Sequence, residues 1–442
     1  MKSTYDLLKN CNDAKVLSFL TSIQHRIATV EDYQLIGTES VRDLKYLYTN
    51  PIKNNHKDMV RSKAFDHTMF DSIDEYCIQK FPETAIRKCL LENYTFEVHG
   101  ILPQHFEELQ TFLNFTEVTK IPFQNNPTSK RFNFLRPSFY KCINNKGEKI
   151  FVVAVGCGHD YTMHYASMLQ HVLDIFTVSI KVKIIRYPLA ESALPIWTGL
   201  DSKIIKKDET IILGYIDEIE KEIKKKRFLE QISLHENDYY ISIRYKNIKT
   251  NSIINLLGVK FSFWGDISAK ITTRLCRLGA PEIIYIGKLG TLGTPDDIYK
   301  KIFAPSKFLI LYHDKVVGKI LNLPNKFLEN HKTLDTGYHV SVPTVIEEDY
   351  VQRQITNKLS INSIDNEISQ IAFSIKHFNE SQAKKVSFTS LHFATDYVRL
   401  PNERAIKTDF DLSNNRTKEA IKNKKRILKD IVKILISYLE TI

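Results

Sequence analysis

The chain contains no CxxC pair and no paired-cysteine framework. Its six cysteines, Cys11, Cys77, Cys89, Cys142, Cys157 and Cys276, are scattered singly. A disulfide-stapled secreted scaffold is excluded, and the expected state is free, mostly buried thiols in a reducing compartment. There is no run of about 18 uncharged apolar residues, the length a membrane-spanning helix needs. The first residues, Met1 to Lys15, lack the apolar core of a signal peptide, so the expected location is cytoplasmic. Neither GxGxxG nor GxxxxGK[ST] occurs, which removes the usual dinucleotide and P-loop phosphate sites. Internal repeats and low-complexity tracts are also missing. Trp is scarce, at 2 residues, but 25 Phe and 21 Tyr bring aromatics to 11%.

What is present describes a globular protein. Hydrophobic residues make up 43% and charged residues 26% of 442 positions, enough for a large core and long for one ordinary domain. The net charge of +11 invites a nucleic-acid reading. Its distribution argues against one. Between Lys203 and Lys249 the acids Asp217, Glu218, Glu220, Glu222 and Glu230 are interleaved with Lys221 and Lys224 to Arg227, the pattern of a solvated, ion-paired helix face. Nucleic acid is therefore not the expected partner; a diffuse attraction to small phosphorylated ligands is compatible with the excess.

Residues 1–130 read as a mostly helical region. Val16 to Val30 and Phe70 to Tyr94 carry apolar residues at helical spacing, the second interrupted by Pro82. The polar stretch Gln124 to Lys130 sets the expected boundary. From about residue 148 short β-branched runs alternate with helical patterns. Ile150 to Val155, Thr177 to Ile185, Thr210 to Leu213, Tyr239 to Tyr245, Ile253 to Phe263, Glu282 to Ile286, Phe308 to Leu311 and Val386 to Phe393 are the expected strands. Helices are expected over Tyr161 to Ile175, Tyr215 to Gln231, Ile267 to Leu278, Glu347 to Leu359, Ser363 to Phe378 and Thr417 to Leu439. This alternation predicts an α/β fold over 131–442, three-layered, with a mainly parallel central sheet and helices on both faces. Ile150 to Val155, Ile283 to Ile286 and Val386 to Phe393 should then be neighbours in one sheet. The apolar stripe of the last helix predicts core packing rather than a membrane-surface role.

In such sheets ligands sit at the carboxyl ends of strands, and five pieces fall there. The turn Gly156-Cys157-Gly158-His159-Asp160 lets backbone approach a ligand and opens a helix. His159 and His164 lie five apart, on different helix faces, so a metal centre with Cys157 is not expected. Phe261 to Lys270 runs from an apolar strand through Gly265 into a helix start. Leu278 to Leu292 ends a helix at Gly279 and leaves a buried strand through Gly287, Lys288 and Gly290. Asp365-Asn366-Glu367 opens an apolar helix, where acids ordinarily complement the dipole. Thr395-Asp396 follows a late buried strand.

The order of these pieces resembles the nucleoside phosphorylase and nucleosidase superfamily over roughly residues 148 to 442. Leu278-Gly279-Ala280-Pro281-Glu282-Ile283-Ile284-Tyr285-Ile286-Gly287 with Lys288-Leu289-Gly290 is similar to its "LGA-x-x-(I/V)-I-x-x-G-x-x-G" strand and loop. Gly265 falls at the first glycine of its "GxG" loop, Asp365-Asn366-Glu367 resembles its "(V/D)-(D/E)-M-E" signature, and Thr395-Asp396 its late "(S/T)-D". Two positions depart from the pattern: Lys288 stands where a small or hydroxyl residue is usual, and Asp266 places a carboxylate that would repel phosphate.

The resemblance implies cleavage of the N-glycosidic bond of a purine-type nucleoside or nucleotide by an N-glycosidase or phosphorylase, needing no cofactor beyond phosphate as a co-substrate. It implies Asp396 as the acid that protonates the leaving base and Glu367 as the carboxylate that holds the sugar and balances oxocarbenium charge. Gly156, Gly158, Gly265, Gly287, Lys288 and Gly290 would frame the substrate. Phe263, Trp264 or Tyr338 would stack on the base, and Ser341 or Thr344 would reach the substrate. The alternative is a catalytically altered nucleoside- or nucleotide-binding or protein-interaction module on the same fold, which the changed glycine loops favour. Residues 1–130 are expected to act as a lid, a protein-partner domain or a homo-oligomer surface.

Overall fold

The computed structural model describes residues 72–110, 114–123, 130–156, 158–176, 182–186, 204–263, 265–312, 315–348, 350–400 and 418–442, with positions 180, 200, 202 and 403. The helix expected over Val16 to Val30, and Cys157 and Trp264, lie outside the described residues. The architecture is mixed α/β, and its strands form two sheets.

The smaller sheet has five strands in the order β2-β3-β4-β1-β5: β1 (Thr95–His99), β2 (Phe115–Ile121), β3 (Ser138–Asn144), β4 (Lys149–Ala154) and β5 (Val182–Arg186). β1 is parallel to β4 and β5, whereas β3 is antiparallel to β2 and β4. β4 is the continuous apolar run of the sequence, and its central place explains its composition. Val152 and Ala154 face one hydrophobic cluster while Phe151 and Val153 face another, as period-two alternation requires.

This placement corrects two expectations. Ile150 to Val155 does not lie beside Ile283 to Ile286 and Val386 to Phe393; it belongs to the other sheet. The short connection from Asn144 to Lys149, tightened by Gly147 N donating to Asn144 O at 2.9 Å, makes β3 its antiparallel neighbour. The described part of the region before residue 130 holds helices over Ser72–Ile78, Glu83–Leu91 and Pro103–Leu109, and strands besides. It supplies β1 and β2, so the boundary expected near residue 130 falls inside one sheet.

The larger sheet has eleven strands: β6 (Glu209–Gly214), β7 (Leu229–Glu236), β8 (Tyr240–Asn247), β9 (Ile253–Val259), β10 (Glu282–Thr291), β11 (Ile302–Phe303), β12 (Lys307–Tyr312), β13 (Lys315–Ile320), β14 (Tyr338–Ser341), β15 (Ile361–Asp365) and β16 (Ser387–Tyr397). β9, β6, β10 and β16 run parallel, as do β12, β14 and β15. The expectation of a mainly parallel sheet is corrected: β7-β8-β9 and β12-β13 are antiparallel hairpins, and β10 meets β15 antiparallel. Connections of a few residues, such as that from Glu236 to Tyr240, cannot make the crossover a parallel pair needs.

The helices are α1 (Ser72–Ile78), α2 (Glu83–Leu91), α3 (Pro103–Leu109), α4 (His159–Phe176), α5 (Ile216–Ile223), α6 (Asp266–Arg277), α7 (Phe327–Asn330), α8 (Tyr350–Lys358), α9 (Ile368–Ser381) and α10 (Lys418–Leu439). The helix expected to reach Gln231 stops at Ile223 because Leu229 onward pairs as β7. Residues from α1, α2 and α4 share one core with the outer face of the small sheet. α6 and α9 join the inner face of that sheet to β10, whose Ile283, Tyr285 and Leu289 point into the shared core. α5, α7 and α10 contribute to the core on the opposite face of β10, with Ile284 and Ile286.

The apolar stripe of α10 is core-facing, as its spacing predicts. Ile427, Leu428, Ile431, Val432 and Leu435 are buried against the larger sheet, and the lysines lie outward. Leu435, with no exposed surface, should cost about 2–5 kcal/mol when cut to Ala. Ile421, 42% exposed on the same helix, should cost less than about 0.5 kcal/mol. Urea unfolding midpoints of Leu435→Ala and Ile421→Ala test this contrast; equal midpoints would mean that α10 is not docked.

Candidate active site

The site grows from the carboxyl ends of β10 and β16. These strands pair in parallel from Glu282 opposite Ser387, but the register slips after Leu289, so that Gly290 pairs with Asp396 instead of Thr395. The slip is a bulge, which bends a strand and re-aims the side chain that follows. Asp396 thereby comes to lie on Gly290: a Cβ there would sit 2.7 Å from its Oδ2. Thr395 Oγ1 donates to Asp396 Oδ1 at 2.7 Å. Burial raises the Asp396 carboxyl above the usual carboxylate range, and the Thr395 hydroxyl and the Lys288 ammonium pull it partly back.

Glu367 stands in the short link between β15 and α9. Its neighbour Asp365 is committed to structure. Asp365 accepts from Ile368 N at 2.9 Å, from His339 Nε2 at 2.8 Å and from Ser341 Oγ at 2.5 Å, capping α9 and binding it to β14. Glu367 is free of that duty and accepts from Tyr285 Oη of β10 at 2.6 Å. Burial first, and then the Asp365 charge, raise its carboxyl well above the ordinary range against the pull of Tyr285 and Lys288. Lys288 is thus the cation common to Glu367 and Asp396.

Gly265 reaches the same rim by donating its N–H to Asn366 O at 2.8 Å, and Ser268 Oγ lies 3.4 Å from Glu367 O. Here two helix starts exchange carboxylates. Asp266, first residue of α6, accepts from His159 N and Asp160 N of α4, each at 3.0 Å. Asp160 accepts from Asp266 N at 2.9 Å and pairs with His159 Nδ1 at 2.9 Å. Each helix receives the anion that its unpaired N–H groups attract. Both approaches need the glycine beforehand: a Cβ on Gly158 would sit 3.0 Å from Asp266 Oδ1, and one on Gly265 2.6 Å from Asp160 Cβ. Burial and the neighbouring Asp160 raise the Asp266 carboxyl, and His159 opposes them.

Several groups on this rim are invisible to motif reading. Glu348 is buried, and burial together with the Asp396 and Asp365 charges raises its carboxyl well above the ordinary range. Burial raises the phenol of Tyr76 in α1, and Cys77, Tyr161, Glu348 and Asp396 add to the rise. Tyr161 lies over Gly156, its ring carbon 3.5 Å from where a Cβ would be. The sequence signal for the α1 contribution is Tyr76 followed four residues on by Lys80, just past the helix end, with Lys80 Nζ 4.7 Å from the ring centre.

The rim brings together Gly265, Gly287, Lys288, Gly290, Glu367 and Asp396, with Gly158 held against Asp266 and Gly156 under Tyr161. Other candidates are spent elsewhere. Ser341 has no exposed surface; its hydroxyl donates to Asp365 and accepts from Ser369 N at 2.8 Å, so it does not reach into the rim. Thr344 Oγ1 is bonded to His164 Nδ1 at 2.6 Å and accepts from Ile346 N. Phe263 is a buried wall, edge-on to Tyr285 at 5.9 Å. Tyr338 begins β14, the end opposite Ser341, and stacks under Lys307. Among the described residues no group of three or more His, Cys, Asp or Glu could hold a metal, and no helix is long and apolar enough to cross a membrane. Burial and Lys80 lower the His164 imidazole to about 3, so it is neutral.

No family model matches the chain. It is 26% identical over 387 residues to the oxidoreductase cns1 of Cordyceps militaris, a match over 84% of this chain and 48% of that protein. The chain thus spans about half the length of this curated relative. Among solved structures it is similar to 5′-methylthioadenosine nucleosidase of Arabidopsis thaliana (12% identity, 53% of this chain and 96% of that one, TM-score 0.38). It is also similar to purine nucleoside phosphorylase of Toxoplasma gondii (13% identity, 52% and 90%, TM-score 0.36).

The raised carboxyls set a pH test. A group whose folded value lies above its unfolded one stabilises the fold fully below the unfolded value and loses that contribution as pH rises toward the folded one. For Glu348 the unfolded value is near 4.5. Glu348→Gln should therefore melt close to wild type at pH 4 and progressively above it toward pH 8, gaining up to about 1.4 kcal/mol per pH unit. Thermal melts across that range decide it; a gap independent of pH would show that Glu348 is not held in the way described.

Proposed function

We propose that this rim cleaves the N-glycosidic bond of a purine-type nucleoside or nucleotide. The observation that carries the reading is the pairing of Asp396 and Glu367 around one cation, both with carboxyls raised by burial, at the carboxyl ends of adjoining elements. Asp396, kept protonated to higher pH than an exposed carboxyl, gives its proton to the leaving base as the bond to C1′ breaks and its electron pair passes to the base. Glu367, oriented by Tyr285, holds the sugar hydroxyls. Its negative form balances the oxocarbenium charge, which itself favours ionisation of the buried acid. Water then adds at C1′ and releases a proton that restores the acid, so nucleoside and water become base and free sugar.

Hydrolysis is favoured over phosphorolysis by the Asp160–Asp266 exchange. The helix starts that would attract a free anion on this rim already carry the chain's own carboxylates. The same closure suits the second reading, a module that binds its ligand without turnover. Base release from a panel of purine nucleosides and nucleotides, with and without phosphate, separates the three cases. Release independent of phosphate is expected; release only with phosphate means phosphorolysis, and tight binding without release means the module.

Variants test the roles. Asp396→Asn should lower kcat by about 10²–10⁴-fold with the fold intact. Glu367→Gln should lower kcat and raise KM together, since an amide neither grips the hydroxyls as strongly nor balances the charge. Wild-type turnover should fall as pH rises through the raised Asp396 value, because only the acid form donates. Full activity in both variants removes these carboxylates from the mechanism.

A further inference from the structure

Each of the two candidate carboxyls receives one hydroxyl, and the two hydroxyls differ in kind. Thr395 gives Asp396 Oδ1 an aliphatic O–H at 2.7 Å, whereas Tyr285 gives Glu367 Oε1 a phenol at 2.6 Å. A phenol is the more acidic O–H and so the stronger donor to an anion. Its delivery is built into the sheet. Tyr285 and Gly287 lie two apart on one face of β10, and the ring leans along the strand over the glycine. A Cβ on Gly287 would sit 2.9 Å from Tyr285 Cζ and 3.0 Å from Oη, and one on Gly214 of β6 would sit 3.2 Å from Cε2. Phe263 meets the ring edge-on at 5.9 Å, and His392 of β16 does so at 5.2 Å. His392 has no exposed surface, and among the described residues neither of its ring nitrogens has a hydrogen-bond partner. Burial and then His339 lower its imidazole well below the ordinary value, so it is neutral and leaves the bond from the phenol to Glu367 uncontested.

Resting on the glycosidic-cleavage reading above, we propose that Tyr285 is a positioning residue that allocates charge within the site: its phenol steers the negative charge onto Glu367 as the glycosidic bond breaks, leaving the proton to be given by Asp396. The other groups facing the two carboxyls do not make this choice. Lys288 acts on both. Asp365 of β15, itself bonded to His339 and Ser341 of β14 and to Ile368 N, opposes ionisation of Glu367. The remaining titratable neighbours are Tyr215 near the phenol and Tyr76 and Glu348 near Asp396, all of them acids. Burial and the Glu367 charge raise the Tyr285 phenol well above its ordinary value, so it keeps its proton and remains a donor.

The test uses the full chain with adenosine and AMP as probes, following base release across pH. Tyr285→Phe removes the hydroxyl alone. It should lower kcat/KM about tenfold at the acid end of the profile and approach wild type at the alkaline end, where Glu367 is ionised in both proteins. Thr395→Val should act in the opposite sense, raising kcat/KM at the alkaline end, where the proton on Asp396 becomes limiting. Incorporating 3-fluorotyrosine at position 285 keeps the ring and strengthens the donor, so the acid-end rate should rise.

A second readout needs no turnover. Glu367 stands near 4.5 in the unfolded chain and at about 8 in the fold, so its contribution to stability is complete below the first value and is lost as pH rises toward the second. Without the phenol the folded value climbs further, and the loss continues to higher pH. The melting temperature of Tyr285→Phe should therefore fall increasingly behind wild type above about pH 8, but by a constant amount in a Glu367→Gln background. A gap equal at every pH in both backgrounds, or an acid-end rate that ignores both changes at position 285, overturns the assignment. Base release from neither probe, with the melting pattern as described, would sink the cleavage reading and leave the coupling of Tyr285 to Glu367 standing.

Discussion

The exchange of carboxylates between Asp160 and Asp266 is the contact on which the rim depends. It fastens the start of α4, which packs on the small sheet, to the start of α6, which packs against β10. Through Gly265 N and Asn366 O it continues to the link that carries Glu367. Two helix starts that face each other would ordinarily bring like partial charges together. Here each dipole is answered by the other helix's acid, so the approach becomes favourable. The geometry tolerates no side chain at Gly158 or Gly265, and two glycines in separate stretches of chain therefore serve one joint.

That joint also explains the acid balance of the site. Asp266 and Asp365 are capping groups, bonded to backbone N–H groups, and their negative charge is used in holding helices. Glu367, Glu348 and Asp396 lie where burial disfavours their ionised forms, and the Asp365 charge adds to this at Glu367 and Glu348. Two populations of acid thus arise in one small volume. One is spent on backbone N–H groups at helix starts, and the other is raised chiefly by burial. A carboxyl that can donate a proton near neutral pH is the chemical result.

What was legible in the sequence follows the range of the interactions involved. β6, β8, β9, β10, β12 and β16 were readable because each is a buried β-branched run whose alternation is local. α10 was readable from its stripe. The glycine loops and the acids Glu367 and Asp396 were visible as residue types at strand and helix ends. The membership of β4 was not, because its partner β1 lies some fifty residues away and its apolar run suits either sheet. The hairpins that make the larger sheet mixed hinge on connection length more than on strand composition. Ser341 looked available because nothing local shows that Asp365 and Ser369 claim its hydroxyl. Tyr285 was hidden by its place inside a strand, where an aromatic ordinarily means core. Glu348, Tyr76 and Lys80 gain their meaning only from charges brought near by tertiary packing.

The division of labour between the two sheets has a further consequence. The acids belong to β16 and the connections at the edge of the larger sheet, whereas Tyr76 and Tyr161 come from α1 and α4, packed on the smaller one. The bulge at Thr395 gives the first set its direction. Buried Arg353 then ties the strand ends together, donating to Val398 O at 2.7 Å and Leu292 O at 2.9 Å. The second set has no such internal frame, and α1 is only seven residues long. α1 depends on α4 for its position: His171 Nε2 meets Asp74 at 2.6 Å, and Cys77 is buried in the shared core. Since α4 is in turn fixed at its start by Asp266, α1 is positioned through the same joint that supports Glu367. Helix-start caps thus link elements of the two sheets at this rim.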